Sequence, residues 1–215
     1  MQTKWLLPFL CILFASAAGT LFAKETTEVT CGSVIKLMHD KTKAKLHSHD
    51  IAYGSGSGQQ SVTGFQGGDD ANSFWIIRGT KAKPCPQGSL IAKGTPIRLQ
   101  HHSTRKWLHS HNFKSPLTNN QEVSCFGSDE QSDEGDLWKV DWDGNAKHWM
   151  KDTQVRLQHV PTSVYLSSHD KKFGRPINGQ TEICGMRKGG KESLWSATEG
   201  VYFPQHQDEA EHTEL

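Results

Sequence analysis

Two histidine pairs, His47 with His49 and His109 with His111, stand two residues apart. That spacing puts both imidazoles of a pair on one face of a β-strand, where they become zinc or copper ligands if further donors join them. The third copy of the motif reads Ser167-Ser168-His169, and no Cys-x-x-Cys pair accompanies any copy. The histidines are therefore expected to bond to neighbouring strands or line a surface groove, with no metal centre. Gly185-Met186-Arg187-Lys188-Gly189-Gly190-Lys191 has phosphate-loop spacing, but Glu192 replaces the hydroxyl that would hold magnesium. It is expected to form a hairpin. The acidic run Asp129 to Asp136 reads as a solvated loop, since Glu134 stands where a calcium loop needs glycine. No nucleophile elbow, metalloprotease helix or redox pair occurs, so neither a catalytic residue nor a cofactor is expected.

The elements that hold these residues repeat three times. Ile35-Lys36-Leu37-Met38-His39, Ile97-Arg98-Leu99-Gln100-His101 and Val155-Arg156-Leu157-Gln158-His159 each precede a leucine that opens the histidine motif, namely Leu46, Leu108 and Leu166. Each unit closes on a tryptophan behind a bulky apolar residue: Phe74-Trp75, Leu137-Trp138 and Leu194-Trp195. Apolar residues alternate with polar ones at period two, the mark of half-buried strands, and turn residues interrupt the chain often. An all-β assembly with closed edges follows. The tryptophans and motif leucines are expected to anchor its core.

Lys4, the apolar run Trp5 to Phe14 and the small residues after it read as a signal peptide over residues 1–23. The run is too short to span a bilayer, and no membrane insertion is expected. The domain is expected over residues 24–203, with repeats at about 31–84, 85–147 and 148–203. Residues 204–215 form an acidic tail ending in His212-Thr213-Glu214-Leu215, close to an endoplasmic-reticulum retrieval signal. The expected location is the endoplasmic reticulum lumen, with secretion as the alternative. In that oxidising compartment Cys31, Cys85, Cys125 and Cys184 argue for two disulfides. Three connectivities exist; Cys31–Cys85 and Cys125–Cys184 are expected. A formal net charge of +1 excludes a strongly basic nucleic-acid-binding face.

The Leu-His-Ser-His motifs, the run Tyr53-Gly54-Ser55-Gly56-Ser57-Gly58-Gln59-Gln60-Ser61-Val62-Thr63-Gly64, the stretch Gln121-Glu122-Val123-Ser124 and Glu199-Gly200-Val201 together resemble the stromal cell-derived factor 2 family, most of all its plant-like members. The resemblance covers nearly the whole chain after the signal segment. It implies a β-trefoil of three MIR motifs with pseudo-threefold symmetry. It also implies a non-catalytic role in folding, quality control and the unfolded protein response. The partners it implies are an endoplasmic-reticulum J-domain cochaperone, a BiP-type chaperone, and unfolded secretory or membrane-receptor clients. A lectin-like role toward glycans or O-mannosylation acceptors is the alternative, although the Gln-x-Trp marker of ricin-type trefoils is missing. Recognition usually resides in loops on a rigid scaffold. Binding is therefore expected where the copies differ: Tyr53, Gln59 and Gln60 in repeat one, Asp129 and Asp133 in repeat two, and Arg187, Lys188 and Lys191 in repeat three, with the histidine pairs as further candidates.

Overall fold

The computed structural model describes residues 27–205. The signal segment and the His-Thr-Glu-Leu end lie outside the described residues. Period-two alternation becomes four strands per repeat. The first repeat holds β1 (Val34–His39), β2 (Lys45–Ala52), β3 (Gln60–Phe65) and β4 (Trp75–Arg78). The second holds β5 (Pro96–His101), β6 (Trp107–Lys114), β7 (Gln121–Phe126) and β8 (Trp138–Trp142). The third holds β9 (Gln154–His159), β10 (Tyr165–Lys172), β11 (Thr181–Met186) and β12 (Trp195–Val201). One 3₁₀ turn leads into the fourth strand of each repeat, at Ala71–Ser73, Glu134–Asp136 and Lys191–Ser193.

The first and fourth strands close a six-stranded antiparallel barrel in the order β1, β4, β5, β8, β9, β12 and back to β1. The second and third strands form three hairpins. Their inner strands β3, β7 and β11 pair with one another in a triangle, which caps one end of the barrel. This is a β-trefoil, and closure of the barrel leaves none of its six strands as a free edge.

The repeat leucines and tryptophans meet inside. Leu46, Leu108, Leu166, Trp75, Trp138 and Trp195 are all fully buried in one cluster. Each indole donates to a leucine carbonyl of its own repeat: Trp75 Nε1 to Leu46 O at 2.8 Å, Trp138 to Leu108 O at 2.9 Å and Trp195 to Leu166 O at 2.8 Å. At the barrel end away from the hairpins, Val29, Ile91 and Trp149 are buried together, joined by backbone bonds from Val29 N to Trp149 O and from Trp149 N to Ile91 O. A second, smaller cluster of Tyr53, Phe173 and Ile177, with Leu117 against it, packs among the hairpin loops.

Cys31 and Cys85 form a disulfide across 54 residues, worth about 4 kcal/mol in the chain-entropy model. The expected Cys125–Cys184 bridge is corrected: both thiols are free and buried. Cys125 pairs with Leu108 across its hairpin, whereas Cys184 pairs with Ser167, one register position away from the equivalent place. A one-residue offset reverses the face to which a strand residue points. Cys125 thus joins Val123 in the core, while Cys184 lies on the face opposite Ile183. Burial pushes both thiols up to about 12.

Two outcomes follow. Iodoacetamide should label Cys125 and Cys184 only after denaturation, and peptide mapping that linked them would refute the assignment. Trp138→Phe should cost about 1–3 kcal/mol in urea unfolding, because the Leu108 carbonyl loses its buried donor; an unchanged midpoint would contradict that role.

Candidate functional site

Each first strand ends in a histidine that the chain uses to lock its turn. His39, His101 and His159 place Nδ1 2.9, 2.9 and 2.7 Å from the hydroxyls of Thr42, Thr104 and Thr162. Their Nε2 atoms donate to the carbonyls of Glu192, Asn72 and Gly135, each at 2.9 Å. Every ring also lies 4.9 or 5.0 Å from a core tryptophan. The residue after each threonine, Lys43, Arg105 or Ser163, takes a positive φ to finish the turn. Burial pushes His101 and His159 down to about 4 and lowers His39 as well. These three were visible in the sequence as a recurrent His-x-x-Thr, a signal that the strand reading passed over.

Of the two expected placements, the motif histidines take the bonds to neighbouring elements and not the surface groove. His47 is buried, with Nδ1 2.8 Å from Asp70 Oδ2, and its Nε2 faces His49 Nδ1 at 3.0 Å. His109 is buried and pairs with Asp136 at 2.9 Å. In repeat three Ser167 instead meets Ser193 at 2.7 Å. The second histidines face the hairpin cap. His111 reaches Glu122 and His169 reaches Glu182, each at 2.9 Å, while His49, besides its contact with His47, has the Ser61 hydroxyl at 3.5 Å in place of a carboxylate. Two sets, His109 with Asp133 and Asp136, and His169 with Glu182 and Cys184, bring metal-type donors close together. In both, those donors already serve hydrogen bonds within the fold.

Glu122 and Glu182 are fully buried and bind the loop of the preceding repeat. Glu122 accepts from the Ser57 hydroxyl and, at 3.3 Å, from its N–H. Glu182 accepts from Leu117 N at 2.6 Å and the Thr118 hydroxyl at 2.5 Å. Burial opposes ionisation of these carboxyls and of Asp70, yet the hydrogen bonds prevail and all three are held below the usual range.

The first expected binding loop is accordingly corrected. Tyr53 is only 5 % exposed, and its hydroxyl donates to the Val62 and Val123 carbonyls at 2.8 and 3.0 Å. Gln60 is buried too, its amide donating to Ser48 and to Thr104 of the next repeat. Gln59 is half-buried and accepts from Ser124. An aromatic ring near the pseudo-threefold axis has its best partners inside, against Phe173, so the glycine-rich run is drawn down at both ends. In repeat two, Asp129 is exposed but paired with Arg105 at 2.6 Å and with the Gln100 amide at 2.8 Å. Asp133 is exposed and caps the 3₁₀ turn through Gly135 N.

Arg187, Lys188 and Lys191 remain exposed. Arg187 and Lys188 border a groove of about 500 Å³ between hairpins β6–β7 and β10–β11, which Phe113, Lys114, Val164 and Met186 also line. Sequence reasoning missed Phe113, Lys114 and Val164, because the groove forms between two repeats and neither copy carries its signature alone.

The family model for the MIR domain matches residues 46–197. The stromal cell-derived factor 2-like protein of Arabidopsis thaliana is 54 % identical over 89 % of this chain and 88 % of its own length. The crystal structure of the SDF2-like protein from that plant superposes with a TM-score of 0.83 at 55 % identity, covering 84 % of this chain and all of that one. A third match is the S. cerevisiae protein O-mannosyltransferase Pmt1–Pmt2 complex bound to its sugar donor. It gives a TM-score of 0.74 at 30 % identity over 85 % of this chain but 27 % of the matched one.

The turn histidines set a pH dependence. Unfolded, they titrate near 6.5; folded, His101 and His159 titrate near 4, so between those values the unfolded chain binds more protons. The stability they contribute is complete above pH 6.5 and is lost as the pH falls through 4, by about 3 kcal/mol per histidine at most. Asp70, Glu122 and Glu182, being lowered, add a loss of the same sign at lower pH. The urea midpoint should decline from pH 6.5 to pH 4, less steeply in His159→Gln. Equal midpoints at pH 7 and pH 5 would overturn the turn-lock reading.

Proposed function

Because this chain belongs to the stromal cell-derived factor 2 family of MIR-domain proteins, we propose that it is a non-catalytic binding module of the endoplasmic reticulum lumen. It serves as a subunit of a J-domain cochaperone and BiP-type chaperone complex that keeps unfolded secretory or membrane-receptor clients soluble. The signal-like start and the His-Thr-Glu-Leu end of the sequence support that compartment. The observation that carries binding over chemistry is how the described residues spend their reactive groups. The turn and motif histidines, the buried carboxyls and both free thiols are struts of the fold. What the repeats leave at the surface are grooves and charged side chains.

The match to the mannosyltransferase complex favours a second reading, in which the trefoil engages glycans or O-mannosylation acceptors. Native affinity purification from lumenal extracts separates the two. The first predicts co-purification with the cochaperone and BiP and suppression of aggregation of a denatured client protein; absence of the cochaperone from the eluate would defeat it. The second predicts saturable binding to mannose-containing glycans on an array, and a blank array would remove it.

A further inference from the structure

The three hairpins leave grooves between neighbouring repeats, and two of these grooves differ at matched positions. Between repeats one and two the groove holds about 210 Å³, with Lys106 and Cys125 on its wall. Lys106 is tied across it to Asp50 at 3.7 Å. Strand register makes Val164 the counterpart of Lys106 and Gly185 the counterpart of Cys125. The second groove, between repeats two and three, is accordingly wider, at about 500 Å³. A Cβ at Gly185 would lie 2.5 Å from Val164 Cγ2, so glycine is what lets the Val164 side chain pack down against β11.

The substitutions also rearrange the charge. The cation on the wall is gone, and cations stand at Lys114, where repeat one has Ala52, and at Arg187 and Lys188. No carboxylate lines this groove, and among the described residues none forms an ion pair with Lys114, Arg187 or Lys188. Apolar surface lines the same groove. Phe113 is 48 % exposed beside Val164 and Met186, one of few large apolar side chains exposed among the described residues.

We infer that the groove between hairpins β6–β7 and β10–β11 seats an acidic peptide segment, its carboxylates on Lys114, Arg187 and Lys188 and an apolar side chain against Phe113, Val164 and Met186. A neutral sugar would leave three cations unmatched, whereas an acidic polypeptide satisfies the charge and the apolar floor together. Desolvated, charge-assisted bonds to arginine and lysine are the stronger class of hydrogen bond, and their attraction steers the encounter. The inference rests on the binding-module reading and names the chemistry of the polypeptide that such a module would take.

Fluorescence anisotropy with the full chain tests it, using a labelled dodecapeptide of aspartate and glutamate with two leucines. Its asparagine and glutamine counterpart, a mannose oligosaccharide and a sulfated oligosaccharide serve as comparisons. The acidic peptide should bind, weaken about tenfold in Arg187→Glu/Lys188→Glu, weaken several-fold in Phe113→Ala, and lose affinity as salt is raised. Lys139→Glu alters an exposed lysine outside the groove and should change binding less than twofold. Lys114→Glu is a second variant should the double reversal fail to fold. Equal binding of the neutral peptide, wild-type affinity in the reversal variants, or binding of only an oligosaccharide would overturn the proposal. Co-purification of the cochaperone by a protein that ignores the peptide would refute this groove and leave the proposed function standing.

Discussion

The buried hydrogen bond from a tryptophan indole to a leucine carbonyl, made once in each repeat, ties the barrel to its hairpin cap. The tryptophan opens the fourth strand and the leucine lies in the second. A fully buried N–H without a partner costs more than a satisfied one contributes, so each indole fixes the approach of one hairpin to one barrel strand. The same ring packs against the histidine that locks a first-strand turn. Barrel, cap and turn therefore converge on one residue type per repeat.

That convergence explains why the histidines, the most chemically suggestive residues in the chain, belong to the scaffold. His101 binds a carbonyl from the turn before its repeat, at Asn72, and His159 does the same at Gly135. Glu122 and Glu182 likewise bind the loop of the preceding repeat. Bonds that cross from one repeat to the next make the three units a single cooperative body, since none can satisfy its polar groups alone. Ser61 replaces the glutamate in repeat one, and there the third repeat's loop is held instead by Gln180 on Thr63 and by Phe173 against Tyr53.

Departures from symmetry shape the surface. Exchanging a lysine and a cysteine for Val164 and Gly185 widens one groove and moves its positive charge. Trp75, Trp138 and Trp195 are the same residue in every copy, because they fill equivalent space around one axis. Duplicated structure supplies rigidity, and divergence between copies gives the grooves different sizes and different charge.

The sequence alone determined the repeat, the alternating strands, the leucine and tryptophan anchors, and through its motifs the trefoil and the family. Each is set by short-range spacing that recurs three times, and recurrence separates a pattern from chance. Tertiary structure decided what depends on register and on neighbours from other repeats. Cys125 and Cys184 look matched in the chain, but a single register step sends their thiols to opposite faces. Tyr53 sits beside a glycine-rich run that reads as exposed, yet its carbonyl partner Val123 and its ring partner Phe173 come from the other two repeats. Lys114 and Arg187 stand far apart in sequence and border one groove because β7 pairs with β11. Spacing along a chain fixes which residues share a strand face, while only the closing of three repeats around one axis fixes which strand faces meet.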